Sequence, residues 1–124
     1  MKISLKSLHE SGTALTSLAE QKPKTAKLAY KLSRVVSSAR SESELLAKTQ
    51  LDLLQKYGKL SEPETGRWTV EAERRVEFDQ EWADLLETEV EVWGDPIKID
   101  TLDGELNLSI DDYARLQWLF SDED

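Results

Sequence analysis

The sequence predicts an α+β domain that is mostly helical: an antiparallel helical hairpin or small bundle, a β-hairpin on the C-terminal side and a short final helix. Three observations predict it. Apolar residues recur at helical spacing through most of the chain, acids alternate with valines from Glu89 onward, and Gly or Pro separates the segments. At 124 residues, one domain is expected, with a basic helical half (1–60) and an acidic half (61–124) that holds a helix, the hairpin and the terminal helix.

The first segment predicts a helix from about Ile3 to Glu20, because its leucines form an imperfect helical stripe. Gly12 weakens this helix by about 1 kcal/mol relative to alanine. The opening letters MKISL are also compatible with a short strand, and this alternative stays open. Pro23 interrupts the pattern and is expected to open the next helix.

The strongest predicted helix runs from Thr25 to Tyr57 and would be about 50 Å long. Its stripe of apolar residues comprises Leu28, Leu32, Val35, Ala39, Leu46 and Leu53. A rod of this length cannot bury its whole length against a small domain. Either it breaks in the serine-rich stretch 35–43, where Ser41 and Glu44 suit a capping box, or it packs against a long partner in the same chain or another copy.

A turn-around follows the long helix. Gly58 is a suitable C-cap residue, and the letters KLSEPETGRW (59–68) predict a loop. A third helix is predicted from Val70 to Thr88, packed antiparallel to the long one, with Phe78 and Trp82 on its apolar side.

The next two segments predict strands, because Val90 and Val92 alternate with acids and Ile97 and Ile99 alternate with Lys98 and Asp100. A turn at 94–96 would join them into a hairpin that covers the apolar end of the helices. A second turn at Asp103-Gly104 and a third short strand through Leu106 and Leu108 are also expected.

The last element is a predicted helix with Ser109 as its N-cap and Asp112 at the third position. Its apolar face is expected to consist of Ile110, Tyr113, Leu116 and Phe120. The final letters SDED (121–124) predict a solvated tail.

Charge is divided unevenly along the chain. Residues 1–60 carry a formal charge of +6 and residues 61–124 carry −15, which together give the net −9. The favoured interpretation is that the two halves neutralise each other within one domain. The alternatives are a basic surface for nucleic acid, an acidic surface for a basic partner, and head-to-tail contact between copies.

Residue content excludes several chemistries. The chain has no cysteine, a single histidine, His9, and scattered glycines, so thiolate sites, multi-histidine metal sites and phosphate-binding glycine loops are excluded. A carboxylate metal site on the third helix is a weaker alternative than a solvated acidic face. We therefore expect no enzyme activity, no cofactor and no metal. The sequence also has no signal-peptide core or membrane-spanning run, so a cytoplasmic protein is expected.

The candidate partner-binding residues are acids of the second half together with two tryptophans whose burial the pattern does not demand. They are Trp68, Glu77, Glu81, Asp84, Glu89, Glu91 and Trp93. A candidate basic face on one side of the long helix comprises Lys24, Lys27, Lys31 and Arg34. Nucleic acid is disfavoured as its ligand, because the acidic half would repel phosphates.

Five strings resemble, in order and spacing, a family of small bacteriophage proteins of unknown function. They are LAYKLSRVV, LLQKYGKL, LLETEVEV, PIKID and LSIDDYARLQWLF, and they cover most of the chain. The chain is more serine-rich at 35–43 than the family pattern. The resemblance implies a long helical hairpin followed by an acidic β-hairpin, in a protein made in the host cytoplasm.

The expected function is therefore that of a non-enzymatic phage interaction protein. It would serve as a virion structural or assembly component, associate with itself or another phage protein and in that case be incorporated in the virion. The alternative is a small acidic inhibitor of a host nucleic-acid-binding or defence protein that mimics DNA. A carboxylate metalloenzyme is the third hypothesis.

Overall fold

The structure, a computed structural model, describes residues 1–62, 64–98 and 106–121. The elements follow in the order β1 (Lys2–Ser4), α1 (Leu5–Glu10), α2 (Gly12–Ala19), α3 (Ala26–Tyr57), β2 (Gly58–Glu62), β3 (Arg67–Val70), α4 (Ala72–Leu86), β4 (Glu89–Glu91), β5 (Ile97–Lys98), α5 (Ile110–Arg115) and β6 (Phe120–Ser121). The mostly helical α+β class and the short final helix are confirmed.

The N-terminal segment contains a strand and two helices, so the prediction of one helix over 3–20 is wrong. The strand alternative for MKISL is correct, because β1 precedes α1. Ser4 then caps α1 by accepting a hydrogen bond from the Ser7 amide at 3.1 Å. Ser11 separates α1 from α2, and its side chain is completely buried.

Helix α3 is continuous for 32 residues, so of the two alternatives left open by the sequence, the break in the serine-rich stretch does not occur. The serines there point to the surface or lie half-buried, and Ser41 Oγ bonds back to the Ser37 carbonyl within the helix. On the opposite side, Val35 and Ala39 are buried in the core and hold this part of the helix in place. The helix begins after Thr25, its N-cap, and Pro23 lies outside it.

Residues 59–68 were expected to form a loop, but β2 and β3 form an antiparallel hairpin there. Gly58 is the C-cap of α3, as predicted, but its backbone is extended rather than left-handed. A Cβ at this position would lie 2.7 Å from the Leu54 carbonyl oxygen and 2.9 Å from that of Thr69. Glycine therefore permits the close approach of helix and hairpin. Trp68, expected in a loop, lies half-buried in β3.

The predicted hairpin between the segments at 90–92 and 97–99 is also wrong in its pairing. β4 pairs antiparallel with β1, and β5 pairs parallel with β6. Each of these strands therefore pairs with a terminal segment of the chain instead of its neighbour.

The predicted covering role of these strands is nevertheless supported by burial. Val92 and Ile97 belong to the core and Val90 packs against it. Glu89 and Glu91 are exposed, as expected. Ile99 and Asp100 lie outside the described residues.

Ser109 is the N-cap of helix α5, as predicted, and the structure adds a reciprocal capping box between Ser109 and Asp112. Ile110 is 91% exposed, however, so its assignment to the apolar face is wrong. Leu106 is buried and Leu108 half-buried, but their backbone is irregular and the third strand is absent from this part of the structure. The predicted turn at 103–104 and the tail residues 122–124 lie outside the described residues, while Ser121 lies in β6.

One hydrophobic core joins α1, α2, the first two-thirds of α3, Val92, Ile97 and the C-terminal segment. Its members include Leu8, Leu18, Leu32, Leu46, Leu116 and Leu119. Two further buried apolar residues lie outside this cluster, Tyr57 at the end of α3 and Phe78 in the middle of α4. Across the described ranges, no helix combines the length and apolarity that a bilayer span requires.

Candidate interaction site

Three side chains of the types that dominate protein interfaces meet on the surface of α3. The guanidinium carbon of Arg34 lies 4.8 Å from the ring centre of Trp93 and 6.0 Å from that of Tyr30. Arg34 also donates to the Tyr30 hydroxyl at 3.3 Å. Tyr30 is 60% exposed and Trp93 38% exposed. We call these three residues the Arg34 edge.

The fold brings Trp93 to α3 through the backbone. The Trp93 amide donates to Ser38 Oγ at 3.0 Å, and the preceding Val92 amide donates to the Met1 carbonyl at 2.7 Å. Gly94 follows with a φ of +98°, a left-handed conformation that suits glycine, which turns the chain away. The small serine at position 38 therefore gives the strand end a hydrogen-bond acceptor on the helix surface.

Arg34 has no carboxylate partner within 1–62, 64–98 and 106–121. It faces a groove of about 520 Å³ lined by Arg34, Ser37, Ser38, Ser41 and Trp93. A guanidinium presents five N–H donors and recognises carboxylates in a bidentate manner. The two aromatic contacts orient Arg34 in advance, which leaves donors available to an anionic group.

The basic face predicted from spacing is only partly helical. Lys27, Lys31 and Arg34 lie along one side of α3, but Lys24 precedes the helix. The three lysines are exposed and form no ion pair in the described part of the chain. Their charge is therefore presented to solvent beside the Arg34 edge.

A second surface of uncompensated charge, which we call the acidic surface, runs along α4 and β4. Its members are carboxylates that form no ion pair with any described residue: Glu73, Glu77, Asp84, Glu87, Glu89 and Glu91. Glu91 is in register with Lys2 across the β1–β4 pair, yet the two side chains form no ion pair. Glu81 differs from the others, because it pairs with Lys56 at 3.4 Å.

Few ion pairs among the described residues join the two halves of the chain. Of the five ion pairs among the described residues, two join the halves, Lys56–Glu81 and Lys59–Glu71. Both lie near the hairpin of β2 and β3, and the other three lie within the acidic half. Ion pairs within the described part of the chain therefore compensate only a small part of the charge that either half carries.

The Lys56–Tyr57–Glu81 cluster has perturbed pKa values. A hydrogen bond from the Tyr57 hydroxyl, assisted by Lys56, lowers the pKa of the Glu81 carboxyl below its ordinary value. The same hydrogen bond to Glu81 raises the pKa of Tyr57. Because the pKa of Glu81 is depressed in the folded state, its contribution to stability is present above the unfolded pKa of glutamate. It is lost as the pH falls through the folded value.

Replacing Tyr57 by phenylalanine should raise the pKa of Glu81 towards its ordinary value, because the hydroxyl donor is removed. An NMR titration of the Glu81 carboxyl carbon measures this shift. Tyr30→Phe is the matched control: it removes a hydroxyl from the same helix about 40 Å away. An equal shift in both variants would contradict the assignment.

A larger cleft of about 610 Å³ lies between α2, the segment that follows it and α3. Its wall is mixed, with Leu18 and Val36 beside Lys22, Arg40 and Glu44. The cleft shares Ser37 and Ser41 with the groove beside Trp93. One serine-rich side of α3 thus separates two concave surfaces.

Within the described ranges, no group of three histidine or carboxylate side chains converges as a metal site. The lone histidine, His9, packs edge-on against Trp82 with ring centres 5.6 Å apart. Trp82 is therefore half-buried against the core, as the sequence predicts.

Of the predicted site residues, the structure unites Arg34 with Trp93, and it leaves Glu77 and Asp84 of α4 and Glu89 and Glu91 of β4 exposed. Trp68 lies apart, in β3. Sequence reasoning missed Ser38, because the hydrogen bond it receives joins residues 55 positions apart. Comparison of the chain with protein-family models, with curated proteins and with solved structures found no match.

Proposed function

We propose that this protein is a non-enzymatic bacteriophage interaction protein that serves virion structure or assembly by associating with itself or with another phage protein. The phage origin comes from the resemblance of its sequence strings. The interaction role is carried by one observation, the Arg34 edge. Tryptophan, tyrosine and arginine are the residues most enriched at interface hot spots, and here they form one ordered, solvent-accessible cluster.

A partner that binds the Arg34 edge would supply contacts that the free surface lacks. Trp93 leaves part of a large apolar ring in water, and no carboxylate of the described residues pairs with the guanidinium donors of Arg34. A partner that covers the Trp93 ring and places a carboxylate beside Arg34 would bury apolar area and accept hydrogen bonds from the guanidinium in the same contact. Because the arginine is already oriented by two rings, little side-chain entropy is lost on binding.

The test is incorporation into particles. Particles and assembly intermediates of the phage that encodes this protein would be purified and quantified by mass spectrometry for the wild type and for Trp93→Ala. We expect a fixed ratio of this protein to the major capsid protein, reduced about tenfold or more by Trp93→Ala. Val76→Ala, which alters another highly exposed residue, is the matched control and should leave the ratio unchanged. Absence from both particles and intermediates would overturn the proposal.

The acidic surface favours a second candidate function, inhibition of a host nucleic-acid-binding protein. From α4 to β4, six carboxylates that form no ion pair with any described residue follow each other along the chain, as phosphates do along DNA. This candidate predicts salt-sensitive binding to such a host protein. Replacing Glu77, Glu81 and Asp84 by lysine should abolish the binding. Undiminished binding by that variant would eliminate the candidate.

A further inference from the structure

We propose that the partner of the Arg34 edge is a second copy of this chain, which docks its acidic surface onto the edge and the adjacent lysines. The proposal rests on the proposed function and specifies its partner. It is drawn from charge complementarity: one chain carries both a cationic surface and an anionic surface, and neither is compensated internally in the described part of the chain.

The two surfaces match in chemistry. Lys27, Lys31 and Arg34 follow one side of α3 at spacings of four and three residues. Glu73, Glu77 and Asp84 are spaced by about one and two helical turns along α4. Helices that present such rows of opposite sign can pair along their length. Arg34 would supply bidentate hydrogen bonds to a carboxylate of the partner, and Trp93 would shield them from water.

The contact joins different surfaces on the two copies, so it is heterologous. The pair then retains one free surface of each sign, the anionic one on one copy and the cationic one on the other, so further copies can add at both ends. Such contacts produce a closed ring if the rotation between copies closes and a filament if it does not. Either outcome is a repeating arrangement suited to a virion or an assembly intermediate.

The net charge and the exposed positions of the paired groups predict how salt should affect association between copies. Copies with a net charge of −9 repel one another at long range, so association depends on local pairing of the two surfaces. At about 0.5 M salt the screening length falls to about 4 Å, which weakens attraction between exposed charges. Oligomers should therefore dissociate as salt is raised.

The experiment is sedimentation velocity on the purified full chain and on two charge-reversed variants. One variant carries Lys27→Glu and Lys31→Glu, and the other carries Glu77→Lys and Asp84→Lys. All four positions are exposed, and circular dichroism would verify that both variants fold. We expect the wild type to form assemblies larger than a dimer at low salt. Each variant alone should associate about tenfold more weakly or not at all, because like charges then face each other.

Mixing the two variants tests whether the two surfaces contact each other directly. In a one-to-one mixture, the glutamates at positions 27 and 31 of one variant can face the lysines at positions 77 and 84 of the other, and the unaltered surfaces can pair as in the wild type, so assemblies should reappear. A monomeric wild type, an exclusively dimeric wild type, or a mixture that stays dissociated would overturn the inference. The proposed function would survive these results if the protein were still found in particles. Conversely, assemblies formed by a protein that is absent from particles would overturn the function and leave the self-association intact.

Discussion

Leu46→Ala is expected to lower the free energy of unfolding by about 2–5 kcal/mol. Leu46 is 5% exposed and belongs to the main core, where α3 makes its last contribution to that cluster. Truncation removes apolar atoms from a close-packed interior, and the cavity that remains forfeits dispersion contacts with its neighbours. Urea unfolding followed by circular dichroism measures the loss.

The adjacent residue provides a matched control for this prediction. Leu45 lies in the same helix and is 60% exposed. Leu45→Ala makes the same change in composition and in helix propensity but opens no cavity, so it should shift stability by less than about 1 kcal/mol. Equal losses in the two variants would show that α3 is rotated from the orientation described.

Ser11→Ala is expected to destabilise the fold by about 1–3 kcal/mol, although it removes a single oxygen atom. Ser11 Oγ lies 2.6 Å from the Ser7 carbonyl oxygen and 2.8 Å from that of Arg115, and it accepts a hydrogen bond from Trp118 Nε1 at 2.9 Å. The hydroxyl therefore ties the α1–α2 junction to the C-terminal segment. Alanine would leave the indole N–H without its acceptor, and thermal or urea unfolding measures the result.

A double-mutant cycle separates this hydrogen bond from general effects of the serine. Trp118→Phe removes the N–H donor, so Ser11→Ala should cost roughly 0.5–1.5 kcal/mol less in that background than in the wild type. Ser41→Ala is the control, because Ser41 is exposed and bonds only within its own helix among the described residues. Strict additivity of Ser11→Ala and Trp118→Phe would argue against the bond.

The surfaces proposed to bind a partner are separate from the buried residues that stabilise the fold. The Arg34 edge and the acidic surface are exposed, whereas Leu46 and Ser11 are buried. Substitutions on the surfaces should therefore change association with little effect on folding, and the core substitutions should act through stability. A surface variant that loses both properties would indicate that the surface also supports the fold.

Much of the helical architecture could be predicted from the sequence, because apolar spacing and capping residues act locally. The span of α4 was predicted to within two residues at each end, and Ser109 was predicted correctly as the N-cap of α5. The division of charge between the halves and the identity of the exposed acids on β4 also follow from the sequence alone. These features depend on residues close together in the chain.

Strand pairing was decided only by the tertiary structure. Alternation at 89–92 and 97–99 indicates strands but does not specify their partners, and the nearest segment along the chain was the natural choice. In the structure, β4 pairs with β1 and β5 pairs with β6. These two partners lie at opposite ends of the described chain. Pairing depends on which edges the packed helices leave accessible, and this information is spread over the whole chain.

The contact between Arg34 and Trp93 in the candidate site also depends on long-range packing. The sequence determined that Arg34 is a cation on one side of a long helix and that Trp93 follows an acidic strand. Their contact depends on the pairing of β4 with β1 and on the Ser38 hydrogen bond, which no local pattern encodes. Local spacing thus set the elements and their charges, whereas long-range packing decided which charges stay unpaired and which aromatic ring lies over Arg34.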